Sequence, residues 1–420
     1  MYIEKVKIEN YRALKNVELE FSQGINLIIG DNGTGKTSIL EAIIVVLGGY
    51  LSGITGATAK GILQTDVRYE VNRKDGINNT RQYFAPVTIV CDVNINGKKY
   101  SWERIREDEG GKSRTKTRGY MISKHAMSEA NNQEAILPVL GYRSAEFGVS
   151  QFNRKDAGSA LKSKLGDRRC GYIGCMDSLM NYNFILEWCR GMSEEEYYQE
   201  KKIPVYEAFK NCVSSLLQKI EDTDEKMSIR YHKFFKDMIL EENGTIKPIS
   251  ELSAGYKAIL YLTMDISFRI AMLNPQETDF KNVPGIVLID ELDMHLHPKW
   301  QWNVLDALKE TFPKVQFIIA THSPIFLSSC KGAKLLLIDD EQKVHYPSEA
   351  FAYSVNDVLM YRQGSIGIPK KLKELSKEFE KAITNENYEK ARNLYCEMKE
   401  LYGDDNSQVK SAKQDLEFFE

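Results

Sequence analysis

Residues 25–37 read Ile-Asn-Leu-Ile-Ile-Gly-Asp-Asn-Gly-Thr-Gly-Lys-Thr, an apolar run that ends in the pattern Gly30-x-x-x-x-Gly35-Lys36-Thr37. Average composition gives such a match by accident in a chain of this size only about 2% of the time. The run is of buried-strand type, and from Lys36 onward Ile39, Leu40, Ile43, Val46 and Leu47 repeat at three and four residues until Gly48-Gly49. Strand, glycine loop and helix in that order commit the region to an α/β fold with a phosphate-binding turn. The glycines let successive N–H groups point inward at phosphate oxygens, Lys36 adds a point charge, and the Thr37 hydroxyl is placed to hold Mg²⁺. Asn32, Gly33, Thr34 and Ser38 complete the candidate nucleotide contacts, at the positive end of the helix dipole.

The rest of the chain continues in kind. Residues 2–9 and 17–21 predict two short strands, and Asn96-Gly97 joins strands at 88–94 and 99–105 into an antiparallel β flap. Residues 110–118, with Lys112, Arg114, Lys116 and Arg118 among small polar residues, predict an exposed, mobile loop. Between 155 and 245 helix formers prevail, notably at 176–190 and 205–222, which predicts a helical insertion lobe. Helices at 256–273 and 299–311 then alternate with strands at 285–290, 315–320 and 334–338, implying a mainly parallel sheet covered on both faces. The expected division is a first lobe at 1–150, the insertion at 151–250, a second α/β lobe at 251–368 and a charged helical tail at 369–420. In the tail, Ala382, Tyr388, Ala391, Leu394, Tyr395 and Met398 fall at helical spacing before a break at Gly403-Asp404-Asp405. It resembles one helical hairpin of the tetratricopeptide kind, either packed on the domain or presented to a partner.

Charge and composition limit the function classes. Lys plus Arg number 56 against 59 Asp plus Glu, so nucleic acid or an acidic membrane can be met only by a local patch. Apolar runs fall far short of the roughly 20 residues that cross a bilayer, and the amino terminus lacks a secretory pattern, so the expected location is cytoplasmic. Seven widely spread cysteines read as reduced thiols, and the pair Cys170 and Cys175 has no second ligand pair to suggest zinc.

Three further motifs narrow the chemistry. The apolar strand at 285–290 ends in Asp290-Glu291, where one carboxylate can bind magnesium and its neighbour can act as general base on a water. Leu252-Ser253-Ala254-Gly255 precedes a long helix, and the strand 317–320 leads into Thr321-His322-Ser323. The order P-loop, Leu-Ser-x-Gly, Asp-Glu, strand-His resembles the ATP-binding-cassette ATPases, in particular the soluble SMC, Rad50 and RecF branch, and Asn10-Tyr11-Arg12 is similar to that branch's Asn-Phe-Arg start. The resemblance implies ATP and Mg²⁺ as ligands and two heads sandwiching the nucleotide in a homo-oligomer. Ser253 and Gly255 of one head would contact the γ-phosphate held by Lys36 of the other. It further implies that His322 touches the same phosphate and that Arg12 reaches the nucleotide. A magnesium-sensing glutamine between the lobes is also implied; neither Gln64 nor any residue near Tyr142 fills that place.

Leu292-Asp293-Met294-His295-Leu296-His297-Pro298 resembles the Leu-His-Leu-His-Pro loop of compact prokaryotic RecF-like ATPases, a dimer-facing loop in that reading and a metal site in the other. Leu137-Pro138-Val139-Leu140-Gly141-Tyr142-Arg143 resembles the same group's Leu-Pro-Val-x-x-Tyr segment. Long coiled-coil arms and a Toprim nuclease pattern are both absent from the sequence. Size, loop and tail together are similar to the ATPase subunit of Septu and retron-associated Septu systems, which implies an HNH nuclease partner, control of that nuclease during phage infection, and contact with DNA or a retron RNA/DNA element. The basic segments 112–118 and 154–169 either contact phosphates or are solvated loops. A RecF-like repair ATPase that binds DNA directly, and a nucleotide-bound scaffold without turnover, are the competing functions.

Overall fold

The computed structural model describes all residues except 75–77, 120, 145–166, 179, 349, 356, 359–369, 386, 405 and 420. It divides into two compact units, Met1–Tyr353 and Ser354–Glu420. No helix of the described residues is long and apolar enough to cross a membrane.

Among the described residues, sixteen strands are numbered in chain order. In the first unit β1 (Tyr2–Tyr11), β2 (Leu14–Glu20), β6 (Val87–Ile95), β7 (Lys98–Arg106) and β8 (Lys116–Arg118) form an antiparallel sheet in the order β2-β1-β6-β7-β8. A second sheet runs β16-β15-β3-β14-β13-β9, built from β3 (Ile25–Gly30), β9 (Val139–Arg143), β13 (Gly285–Asp290), β14 (Val315–Ala320), β15 (Lys334–Ile338) and the short β16 (Val344–His345). All its neighbours are parallel except β15 and β16. β4 (Tyr69–Lys74) and β5 (Asn78–Tyr83) pair as a separate hairpin.

Helix Lys36–Leu51 is buried along nearly its whole length. A helix apolar all round must be covered on all sides, and this one packs against strands of both sheets. Gln316, the second residue of β14, ties the sheets together, donating to Ile3 O at 2.9 Å and Ser22 O at 2.8 Å and accepting from Ile3 N at 2.8 Å. Register fixes the functional edge: Asp290 pairs with Ala320, and Ala320 with Ile28, so β13, β14 and β3 end side by side. In open α/β sheets that carboxyl edge is where ligands bind.

The insertion departs from the expected all-helical lobe. Helices Tyr182–Gln199 and Pro204–Glu221 are followed by an antiparallel sheet, β10 (Met227–His232), β11 (Asp237–Glu242) and β12 (Thr245–Pro248). Asn243-Gly244, with φ of 49° and 78°, makes the tight β11–β12 turn, a hairpin signal that outweighs the surrounding helix formers. The first helix starts at Tyr182 rather than 176, because Asn181 caps it by accepting from Phe184 N at 3.1 Å. Residues 110–118 are exposed but anchored: Arg106 donates to Ser113 O at 2.7 Å and Gly110 O at 2.6 Å, and Lys116–Arg118 pairs with β7. Most of segment 154–169 lies outside the described residues. Arg168 within it is buried and turned inward, donating to Leu273 O at 2.6 Å and Asn132 O at 3.0 Å, so it is not a phosphate contact.

In the second unit, among the described residues, helices Lys370–Thr384, Tyr388–Tyr402 and Ser407–Phe419 pack around Leu372, Phe379, Ala391, Met398, Val409 and Leu416. The break at Gly403 is a turn into a third helix, beyond the single hairpin expected.

Candidate functional site

At the end of β3 the chain curls in a way only glycine permits. A Cβ on Gly30 would sit 2.5 Å from Ile338 O, and one on Gly35, at φ 101°, would sit 2.6 Å from Leu14 Cδ2. The loop tip, including Asn32 and Gly33, is exposed, while Thr34 turns in to donate to Asp31 O at 3.0 Å. Lys36 folds back over the loop and donates to Gly30 O and Asp31 O, both at 2.9 Å. Burial lowers its pKa, opposed by the carboxylates of Asp290, Glu291, Asp31 and Asp293. Ser38 is half-buried in the first helical turn.

The carboxylates arrive on β13. Asp290 Oδ2 accepts from Thr37 Oγ1 at 2.8 Å, and its Oδ1 is buried without a hydrogen-bond partner. Burial raises the Asp290 pKa and Glu291 adds to the rise, whereas the Thr37 hydrogen bond, Lys36 and His322 oppose it. A buried, half-satisfied carboxylate beside a hydroxyl is an oxygen donor set suited to a hard cation such as Mg²⁺, so Thr37 and Asp290 fit that ion. Glu291 follows with a left-handed backbone, φ 53°, its N–H donating to Ala320 O at 2.9 Å. That bend turns the chain away from the sheet and leaves Glu291 half-exposed at the edge.

A hydrogen-bond chain that the motifs did not announce joins the segment after Glu291 to the histidine loop. Thr321 donates to Asp293 Oδ1 at 2.7 Å, and its backbone N–H reaches Ile28 O of the P-loop strand at 3.1 Å. Ser323 donates to Gln301 Oε1 at 2.7 Å, while Gln301 Nε2 donates to Leu296 O at 3.1 Å and Asp293 O at 3.3 Å. His322 is therefore carried on a loop pinned at Thr321 and Ser323. His297 caps helix Pro298–Thr311, its Nδ1 accepting from Lys299 N at 3.2 Å, while the His295 side chain lies outside the described residues.

Lys36, Thr37, Asp290, Glu291 and His322 thus gather at one sheet edge. Ser253 and Gly255 form a second group, where Ser253 caps helix Ala254–Leu273 by accepting from Tyr256 N at 3.4 Å and is itself exposed. Arg12 belongs to a third: at φ 51° its Nε donates to Asp66 Oδ1 at 2.8 Å and its guanidinium pairs with Glu41 of the P-loop helix. Buried ion pairs join Asp265 of the Ser253 helix to Arg143, at the end of β9, and to Arg269, which donates to Gly171 O at 2.8 Å. This fixes the helix to the strand beside β13. Among the missed residues, Arg143 and Asp293 lay in segments that the sequence had singled out; Gln301 and Asp265 are recognised only once the fold brings them together.

Comparison with known proteins identifies the family. A family model described as an AAA domain matches residues 5–417. A retron Vc95 probable ATPase from Vibrio cholerae serotype O1 biovar El Tor is 27% identical over 80% of this chain and 73% of its own. The Septu protein PtuA of Bacillus thuringiensis is 25% identical over 95% of this chain and 93% of its own. An Smc head, solved bound to the C-winged helix domain of ScpA, superposes with a TM-score of 0.51 at 19% identity, covering 83% of this chain and 98% of that one. With the family model matching residues 5–417, the chain belongs to the AAA-domain family, and its fold is that of an Smc head.

Proposed function

We propose that this chain is the ATPase subunit of a bacterial anti-phage defence complex, in which nucleotide held between two heads controls a partner nuclease of the HNH type. The observation that carries the ATPase reading is the junction of Thr37, the orphaned Asp290 oxygen and the charge of Lys36 at one edge. The defence reading is supported by relatives that bear Septu and retron names.

Magnesium-bound ATP supplies the scissile anhydride and the negative charge the site is built to neutralise. The chain's residues divide the work. Lys36 exchanges its two carbonyl partners for phosphate oxygens, so that its ammonium meets full negative charge in place of carbonyl dipoles. Thr37 and Asp290 hold the metal. Glu291 accepts the proton of the attacking water, and His322, held by the Thr321 and Ser323 anchors, orients that water against the γ-phosphate. Exposed Ser253 and half-buried Gly255 at a helix N-terminus suit the phosphate of a second head rather than their own, and Arg12 leaves Glu41 to reach the nucleotide. The C-terminal helices serve as the docking unit for the nuclease. ATP hydrolysis by the intact protein, compared with Glu291→Gln, tests the reading: turnover should fall at least about a hundredfold while nucleotide binding persists, and equal rates would refute the assigned base.

A further inference from the structure

Away from the sheet edge, the insertion carries an open groove of about 710 Å³ between the end of helix Tyr182–Gln199 and the β10–β11 turn. Its rim is aromatic: Tyr197, Tyr198 and Phe234 are 79%, 81% and 82% exposed, and Phe235 is 41% exposed. Large rings left this open carry a cost in water unless something covers them. The rings stand edge to face in pairs, Tyr197 with Tyr198 at 5.7 Å and Phe234 with Phe235 at 5.2 Å. Between them lie Arg230, His232 and Lys233. Lys233 is exposed and makes no ion pair among the described residues, and His232 Nδ1 is buried without a hydrogen-bond partner. The acids nearby are already engaged: Glu194 pairs with Arg190, Glu195 accepts from Gln199, and Glu196 pairs with Lys210.

We infer that this groove binds single-stranded nucleic acid, with bases stacking on Tyr197, Tyr198 and Phe234 and a phosphate meeting Lys233. Arg230 is already paired with Glu241, which leaves Lys233 as the cation open to a phosphate, and exposed rings beside such a cation are the two components of a sequence-tolerant single-strand site. Every large apolar side chain lining the groove is aromatic, and an aromatic ring offers a face on which any base can stack. A duplex keeps its bases stacked inside and offers these rings no face. The inference is independent of the ATP pocket.

The probe is a fluorescent oligothymidylate of about twenty nucleotides, titrated by anisotropy into the full chain at several salt concentrations, with a duplex of equal length as competitor. Phe234→Ala and the double change Tyr197→Ala/Tyr198→Ala should each weaken binding about five- to a hundredfold, Phe234→Tyr should retain it, and Lys233→Ala should reduce the salt slope. Unchanged melting curves and nucleotide affinity in these variants separate a failure here from one at the ATP site. Unchanged oligonucleotide affinity, equal binding of duplex, or loss only of association with a protein partner would each overturn the proposal, the last by identifying a protein-docking face.

Discussion

Replacing Asp290 by Asn separates the role of its charge from that of its shape. The side chain is buried, keeps one oxygen for Thr37 and leaves the other unpartnered, and burial together with Glu291 raises its pKa. A carboxyl with a folded pKa above its unfolded value binds protons more tightly in the folded state. Ionised Asp290 therefore subtracts stability at neutral pH, and the subtraction disappears as the pH falls below the ordinary aspartate range. Asn preserves the Thr37 hydrogen bond without the charge. The ligand-free variant should melt at or above the parent at neutral pH, and the two should converge in acid. Ligand reverses the order. At a hundredfold excess over Kd, a nucleotide with Mg²⁺ stabilises the parent by about 2.7 kcal/mol, a melting rise of about 3–4 °C for a unit the size of Met1–Tyr353. Asp290→Asn should lose most of that rise. Scanning fluorimetry with a nonhydrolysable analogue, with and without Mg²⁺, reads both effects. A ligand-free variant several degrees less stable, or an undiminished Mg²⁺-dependent rise, would refute the reasoning.

Two further perturbations probe the supports of the site. Arg143→Ala leaves Asp265 buried with one of its two guanidinium partners and should cost about 3–5 kcal/mol in denaturant unfolding; a loss within about 1 kcal/mol would show the pair to be dispensable. Gln301→Ala removes the link between the Asp293 segment and Ser323 and should slow ATP turnover about tenfold or more at unchanged nucleotide affinity. Weakened affinity with normal turnover would place Gln301 in binding instead.

What the sequence reveals follows from the range of the interactions involved. β13, β14 and β15 end where their apolar runs end, because a strand covered on both faces must be apolar throughout and stops at the first polar or turn residue. The P-loop is legible for a related reason, since its backbone leaves no room for a side chain at Gly30 or Gly35. The β10–β12 sheet was hidden because Met227, Ile229 and Tyr231 alternate among charged residues in a stretch of helix formers, leaving Asn243-Gly244 as the only sharp signal. Arg168 looked like a surface cation and is instead a buried clamp, because its partners are carbonyls that only the fold assembles. Gln301, and the role of Asp293 within its recognised segment, were hidden for the same reason: their hydrogen bonds cross to the loop after β14, more than a helix away in sequence.

Mixing two inactive variants tests the shared nucleotide pocket most directly. Lys36→Ala loses the grip on phosphate and Ser253→Arg blocks the contact offered to the neighbour, so each alone should be without ATP turnover. In an equimolar mixture half the pairs combine one of each and hold one intact pocket, so turnover should return to about a quarter of the parent rate. A mixture as inactive as its components would contradict a pocket completed by a second head.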